Sequence, residues 1–238
     1  MKYLYLCLLI AMGGVLPLFA QDQDDGGSRE AKGRVAWFVY TGLPEGLENP
    51  VSVMSGKDVS QVTLSKRSPS EPVKIPGDGV VSIVREVPDP KEPGETKFLT
   101  LAIARIPDGV SKALVILIPV ENDPQGLLFR TKVQDLASFK GGDWLFFNMT
   151  NFRLGVEMGK TSLEIKPGEV RIYNSPVEAE PVNMPIRQSY FHPVKQQWKM
   201  ISASTVVLHS TRRQVCIFGW DPRYERIEKT GITFPVTP

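Results

Sequence analysis

Cysteine is nearly absent from this chain of 238 residues. The two cysteines are Cys7 and Cys216, and Cys7 lies within an apolar run close to the N-terminus. If a signal peptide that contains Cys7 is removed, Cys216 has no partner for an intramolecular disulfide. The sequence therefore predicts a fold that depends on its hydrophobic core for stability and has no covalent cross-link.

The usual residues of catalytic and metal sites are also scarce. The chain has two histidines, His192 and His209, and no G-x-S-x-G, C-x-x-C or H-E-x-x-H pattern, which gives no support to a nucleophile elbow or a typical zinc site. Cys216 and His209 would make a thiol–imidazole pair, but Cys216 lies between Val215 and Ile217, which favours a core residue. We predict no catalytic residue, metal ligand or cofactor.

Two short patterns resemble functional motifs without completing them. Gly159-Lys160-Thr161 matches the end of a phosphate-binding loop, but Leu154 stands where the first glycine of that motif belongs. We interpret this segment, like Gly56-Lys57, as a hairpin turn. Asn148-Met149-Thr150 fits the N-glycosylation pattern, and we assign it no role because so short a pattern often recurs by chance.

The numbers of positive and negative residues are nearly equal. The chain has 28 basic and 26 acidic residues and a formal net charge of +2, which argues against nucleic acid as a partner. Residues 187–238 hold eight Lys/Arg and three Asp/Glu, an excess that we interpret as a solvated face. After residues 4–15 no apolar run approaches about 18 residues, so we predict no membrane span once a signal peptide is removed.

The N-terminus has the parts of a secretory signal peptide. Lys2 supplies the positive charge, residues 4–15 are uncharged and mostly apolar, and Ala20 is a small residue suited to the cleavage site. We therefore predict a signal peptide at residues 1–20 and a bacterial protein that is exported, either periplasmic or extracellular. Residues 21–32 are acidic and glycine-containing, which predicts a disordered linker.

Turn-forming residues, by contrast, are plentiful. The 20 prolines and 20 glycines divide the chain into short apolar runs, a pattern typical of an all-β fold with little helix. Residues 113–118 are apolar throughout and predict a central strand that is buried on both faces. Residues 144–173 contain four short apolar runs and resemble a β-meander. Residues 127–139 predict a strand followed by a single helical turn.

The two halves of the chain present similar landmarks in the same order. This repetition predicts two duplicated, tandem antiparallel β-sandwich modules, at residues 33–126 and 127–238. In the resulting alignment, residues 174–197 are an insertion of the second half. The matched landmarks are residues 53–57 with 156–160, Pro76-Gly77 with Pro167-Gly168, residues 81–83 with 170–172, Phe98 with Trp198, and Asp123-Pro124 with Asp221-Pro222.

One part of the second half carries a resemblance to known proteins. Residues 139–150 read FKGGDWLFFNMT and are followed by Val156, Gly159 and the turn Lys166-Pro167-Gly168-Glu169. These residues resemble uncharacterised exported bacterial proteins with tandem immunoglobulin-like β-sandwich domains. The resemblance consists of turn and core positions, so it implies a fold and an exported location but no active site.

The candidates for ligand recognition are aromatic and arginine residues that the repeated β-sandwich fold does not require. They are Tyr190, Trp198, Trp220, Arg223 and Tyr224. Such side chains bury a large area and keep a polar group for specific contacts. The alternative is that they pack a long loop against the fold or fill the space between the halves.

Three classes of function fit these patterns. We expect a non-catalytic binding or assembly module of the cell envelope, with an envelope glycan or a protein as its partner. The alternative is an enzyme that acts on envelope polymers through two carboxylates, for which Asp143, Glu157, Glu169 and Asp221 are the candidates. The third is a subunit that assembles with others by edge-strand pairing.

Overall fold

The computed structural model of the protein describes residues 33–92 and 94–236, so the predicted signal peptide and linker lie outside the described residues. The described residues all belong to one compact unit. In the described part, no helix is long and apolar enough to cross a membrane. The strands of the first module are β1 (Val35–Tyr40), β2 (Val51–Ser55), β3 (Asp58–Val62), β4 (Val73–Lys74), β5 (Val80–Pro88), β6 (Thr96–Arg105), β7 (Lys112–Pro119) and β8 (Phe129–Asp135).

The second module repeats this series of eight strands. Its first four strands are short, like β1 to β4, and its last four are long. They are β9 (Trp144–Asn148), β10 (Leu154–Met158), β11 (Thr161–Ile165), β12 (Val170–Tyr173), β13 (Val182–His192), β14 (Gln197–Leu208), β15 (Arg212–Asp221) and β16 (Arg226–Pro235).

Each module contains two four-stranded sheets, which we call outer and inner. The first module has the outer order β3-β2-β5-β6 and the inner order β4-β1-β7-β8, and the second has β11-β10-β13-β14 and β12-β9-β15-β16. Neighbouring strands are antiparallel, except that β1 pairs with β7 and β9 pairs with β15 in parallel. The prediction of two all-β sandwich modules is confirmed, and the repeat extends to every strand of the topology.

Three hydrophobic cores lie between these four sheets. One core fills the first module between its two sheets, and a second fills the second module in the same way. The third core joins the two inner sheets, so the modules share a continuous apolar contact. Its buried residues include Val39, Leu114 and Ile116 from the first module and Leu145, Phe147, Val215 and Ile217 from the second.

The inner strands are buried on both faces. Along β7, Val115 and Leu117 face the core of the first module, whereas Leu114 and Ile116 face the core between the modules. Side chains alternate along a strand, so only an uninterrupted apolar run satisfies both faces. The prediction of a doubly buried strand at residues 113–118 is therefore confirmed, and its parallel pairing with β1 is typical of strands covered on both sides.

The four strands predicted within residues 144–173 are present, but they do not form a meander. β9 pairs with β12 in the inner sheet, whereas β10 and β11 form a hairpin in the outer sheet. β9 is largely apolar on both faces and suits the inner sheet, while β10 and β11 alternate between buried and exposed residues. Gly159 and Lys160 form the predicted hairpin turn, with Gly159 at a φ of 58°.

The alignment of the two halves is wrong over one stretch. Residues 174–197 are not an insertion, because they contain β13, which occupies the place of β5 in the sheet order. The counterpart of residues 81–83 therefore lies in β13, and residues 170–172 belong to β12. A Pro-Gly turn precedes β5 in one half and β12 in the other, so these turns do not mark equivalent strands.

A β-bulge at the same point of both outer sheets supplies the correct alignment. It follows Ile83 in the pairing of β5 with β6, and it follows Gln188 in the pairing of β13 with β14. Ile83 and Gln188 are therefore equivalent positions. Counted from the bulge, Phe98 and Trp198 are also equivalent, as their order in the sequence predicted.

The segment of residues 127–139 contains β8 and then a β-turn in place of the predicted helical turn. Asp135 Oδ1 accepts a hydrogen bond from the Ala137 N–H, and the Phe139 N–H donates to Leu136 O at 3.2 Å. An aspartate side chain that bonds the backbone two residues ahead favours such a turn over a helix. β8 pairs with β7, so it extends the first module's inner sheet, although the predicted division placed it after residue 126.

Arg213 of β15 anchors the segment that connects the modules. Its guanidinium donates to Leu136 O at 3.0 Å and to Phe139 O at 2.6 Å, and it lies 5.5 Å from the centre of the Phe139 ring. Burial lowers the pKa of Arg213, and the nearby Asp143 carboxylate opposes that shift. The connection is thus bonded into the fold of the second module.

Candidate functional site

Two of the five predicted site residues, Tyr190 and Trp220, are neighbours of the same aromatic ring, that of Phe152. The Phe152 ring lies 5.4 Å from the ring centre of Tyr190 and 5.4 Å from that of Trp220. Tyr190 and Phe152 are half-buried against the core of the second module. Tyr190 therefore packs against the fold, which is the alternative that the sequence left open, whereas Trp220 touches Phe152 and stays 41% exposed.

Arg223 and Tyr224 belong to the exposed turn between β15 and β16. Asp221 Oδ1 accepts hydrogen bonds from the N–H groups of Arg223 and Tyr224, at 2.9 and 3.3 Å. The guanidinium carbons of Arg223 and Arg226 lie 5.4 and 5.0 Å from the centre of the Tyr224 ring. The turn therefore groups one aromatic ring with two cations.

Trp198 lies on the solvent-facing side of the second outer sheet. It is 46% exposed, and its indole lies over Gly155 of β10. A Cβ at residue 155 would lie 3.2 Å from Trp198 Cζ3 and 2.9 Å from Ser189 Oγ, which is tighter than normal packing. Gly155 thus allows the indole to approach the sheet closely.

A shallow, open groove of about 450 Å³ surrounds Trp198 on this outer sheet. Its walls combine three large apolar side chains, of which Met200 is 68% exposed, with charged and hydroxyl groups. Water-exposed apolar groups beside fixed polar ones are typical of recognition surfaces. The groove is lined by Gly155, Glu157, Ser162, Leu163, Glu164, Arg187, Ser189, Trp198 and Met200.

Two arginine–glutamate pairs flank the indole. Arg153 Nη1 lies 3.2 Å from Glu164 Oε1, and Arg187 Nη1 lies 3.7 Å from Glu157 Oε2. The Arg153 guanidinium carbon also lies 4.4 Å from the centre of the Phe191 ring and 5.9 Å from a Trp198 ring centre. Exposed pairs of this kind add little to stability, so their main effect is on the shape and polarity of the groove.

The first module lacks the charged part of this surface. Its residue equivalent to Trp198 is Phe98, which is also 46% exposed. Glu157 and Arg187 face each other across β10 and β13. In the first module, Met54 and Ser82 occupy the equivalent positions. An aromatic residue on the outer sheet is therefore common to both modules, and the ion pair beside it is a feature of the second.

Three of the four carboxylates proposed for catalysis hold turns together. Asp143 is buried and accepts hydrogen bonds from the N–H groups of Lys140 and Ser175, both at 2.8 Å. Glu169 accepts one from the Lys166 N–H at 2.9 Å, and Asp221 bonds the turn described above. Glu157 alone of the four lines the groove. Within the described residues no group of three His, Cys, Asp or Glu is placed to hold a metal ion.

Cys216 is a buried residue of the second core, as predicted. Burial raises the pKa of its thiol to about 12, although Lys229 and a contact from Gln188 act in the opposite direction. Native protein therefore holds very little thiolate here at about pH 8. In the chain without residues 1–20, we expect a disulfide reagent such as DTNB to modify Cys216 only after denaturant is added. Rapid stoichiometric reaction of the native protein would contradict this prediction.

Sequence reasoning missed Arg153, Phe191 and Gly155, which shape the groove with Trp198. Arg153 precedes β10, Gly155 lies within it, and Phe191 lies in β13, so they converge only through strand pairing. One signal was available, since a glycine inside a strand often marks the close approach of another group.

No protein-family model matches this chain, and no curated protein matches it. Function is therefore inferred from the geometry of the outer sheets and from the differences between the two modules.

Proposed function

We propose that the protein is an exported, non-catalytic binding module of the cell envelope, and that it binds an envelope glycan. The observation that carries this proposal is the groove on the second outer sheet, where an exposed indole lies beside two arginine–glutamate pairs. The signal-peptide pattern of residues 1–20 supports export.

The groove offers each kind of contact that a sugar chain makes. The apolar C–H face of a pyranose ring packs on an indole, which supplies a large flat area at little entropic cost. Sugar hydroxyls donate and accept, and they find guanidinium donors, carboxylate acceptors and the hydroxyls of Ser162 and Ser189. The charges of the two pairs cancel, which favours an uncharged ligand over a strongly anionic one.

Trp198→Ala is expected to weaken binding to polysaccharide by at least about tenfold, which corresponds to roughly 1.4 kcal/mol. Loss of the indole removes the stacking surface but leaves both ion pairs, and the position is exposed, so the fold is retained. Co-sedimentation with insoluble envelope polysaccharide and calorimetric titration with neutral oligosaccharides measure the effect.

Phe98→Ala is the matched control for this experiment. Phe98 occupies the equivalent position of the first module with the same exposure, but without the neighbouring ion pair. We expect Phe98→Ala to bind as the unchanged protein does. Equal loss in both variants, or no binding of envelope material by the unchanged protein, would refute the proposal.

The enzymatic alternative draws on Glu157 and Glu164, which both line the groove. A glycosidase needs two carboxyl groups on either side of the scissile bond. Assay of new reducing ends, after incubation with the polysaccharide that binds, separates the two functions. Under the binding proposal no reducing ends appear, and their appearance with a loss in Glu157→Gln would favour the enzyme.

A further inference from the structure

The outer sheet ends at β6 or β14 and the inner sheet ends at β8 or β16. The hydrogen bonding between these two end strands differs between the modules. In the first module the Leu128 N–H donates to Leu101 O, and Thr131 Oγ1 donates to Ile103 O, both at 2.8 Å. These bonds join β6 to β8 and its preceding residue. Among the described residues, no backbone hydrogen bond joins β14 to β16. The same edge of the sandwich is therefore closed in the first module and open in the second.

The residues along this edge also differ between the closed first module and the open second module. Ala102 and Ala104 of β6 are both 1% exposed. At the equivalent positions of β14, Ser202 is half-buried and Ser204 is exposed. Ile83 of the first core is replaced by Gln188, which is buried beside the opening. Hydroxyl and amide groups replace methyl groups where the second module admits a polar environment.

Lys229 reaches across the opening with its side chain. It pairs with Phe218 as Thr131 pairs with Leu117, so Lys229 takes the place of the residue that closes the first module. Its Nζ donates to Gln188 Oε1 at 3.0 Å and to Ser202 Oγ at 3.1 Å. In the part of the chain that the structure describes, Lys229 forms no ion pair with a carboxylate. The ammonium is thus held by neutral oxygens alone.

A cavity of about 440 Å³ occupies the space between β14 and β16. Apolar groups of Tyr190, Ile201 and Ile227 line it together with Ser202 and Lys229. Glu225 and Glu228 also line it, and with Arg226 and Lys229 they bring the formal charge of the lining to zero. A ligand suited to this lining is mostly apolar on one side and carries one carboxylate for Lys229.

We infer that an extended peptide strand of a partner protein occupies this opening. Its backbone pairs with the free edge of β14, where Ala203, Ser204 and Thr205 are exposed, over about six residues. Its apolar side chains pack on Ile201, and an acidic side chain reaches Lys229. A strand is the fitting occupant because strand-to-strand bonds close the same edge of the first module. Met200 lines both the opening and the groove, but this inference is argued from Lys229 and the free edge of β14 and does not rest on the glycan proposal.

The test uses the full chain in its exported form and a displayed library of random peptides of about twelve residues. We expect selection to enrich peptides that alternate apolar and polar residues and contain Asp or Glu. A synthetic copy of a selected peptide is then expected to slow amide hydrogen exchange in residues 197–208 by about tenfold or more, and in no strand of the first module.

Charge exchange at residue 229 distinguishes recognition from general structural damage. Lys229→Glu is expected to weaken an acidic peptide by about tenfold or more and to restore binding when the acidic residue of the peptide becomes lysine. Lys229→Gln keeps a hydrogen-bond donor but removes the charge, and it is expected to bind both peptides alike. Lys132→Glu, at an exposed position of β8, is the control and leaves the preference for the acidic peptide unchanged.

Several results would overturn the inference. One is a selection that enriches no alternating acidic peptide, and another is a bound peptide that leaves exchange in β14 unchanged. Equal binding of acidic and basic peptides to the unchanged protein would remove the role of Lys229. Concentration-dependent dimers in sedimentation, with β14 protected in the dimer, would assign the edge to a second copy of the chain.

Discussion

Gly141→Ala is expected to lower the free energy of unfolding by about 3 kcal/mol or more. A Cβ at residue 141 would overlap the carbonyl oxygen of Ser210, in the turn between β14 and β15. Both backbones are fixed by neighbouring bonds, since the Gly142 N–H donates to Arg212 O at 2.6 Å and the Gln214 N–H donates to Asp143 O at 3.0 Å. The overlap is relieved only by breaking contacts between the connecting segment and the second module.

Thermal unfolding followed by circular dichroism measures this effect. For a unit of about 200 residues, a loss of 3 kcal/mol corresponds to a melting temperature lower by roughly 6–12 °C. Gly77→Ala is the control, because its Cβ would meet open space and its φ lies outside the positive region. A Gly141→Ala protein that melts together with Gly77→Ala would show that the connection adapts.

Asn148→Ala is expected to cost about 2–4 kcal/mol of unfolding free energy. The Asn148 side chain is fully buried, and its Nδ2 donates to Phe152 O and Ile165 O at 2.7 and 2.9 Å. Its Oδ1 accepts hydrogen bonds from Thr150 N and Thr150 Oγ1, at 2.9 and 2.8 Å. Alanine leaves these buried groups without partners and leaves a small cavity. The same bonds occupy the amide nitrogen that N-glycosylation would use.

Urea unfolding of three variants separates the causes of this loss. Asn148→Asp keeps the acceptor for Thr150 but loses both donors, so we expect no recovery of stability at neutral pH. Asn183→Ala removes an exposed asparagine of β13 and is expected to change stability by less than about 0.5 kcal/mol. An unfolding midpoint of Asn148→Ala equal to that of Asn183→Ala would contradict the structural role of the amide.

Much of the fold was predictable because strands leave local patterns. The apolar run of β7 predicts burial on both faces, and the hairpin at Gly159 is marked by a glycine that adopts a positive φ. The assignment of strands to sheets was not predictable in the same way. β12 and β5 both follow Pro-Gly turns, and only hydrogen bonding across long separations decides that β13, and not β12, is the counterpart of β5.

The candidate site was predictable only in its most exposed member. Trp198 was predicted for recognition because it is aromatic, and it lies in the groove. Tyr190 was chosen on the same grounds but faces the core. Successive side chains of a strand point to opposite faces of the sheet, so being aromatic does not decide which face a residue takes. The pairing of Glu157 with Arg187 depends on the register of β10 and β13, which single-chain patterns do not specify.

The parallel pairs of the inner sheets impose an order on folding. Val35 at the start of β1 pairs with Lys112 of β7, and Trp144 of β9 pairs with Gln214 of β15. The first strand of each module is therefore made long before its parallel neighbour exists, and such distant closures slow folding. A chain that is delivered from its N-terminus must carry β1, apolar on both faces, without its parallel partner until β7 follows. That interval is when the protein most needs protection from aggregation and proteolysis.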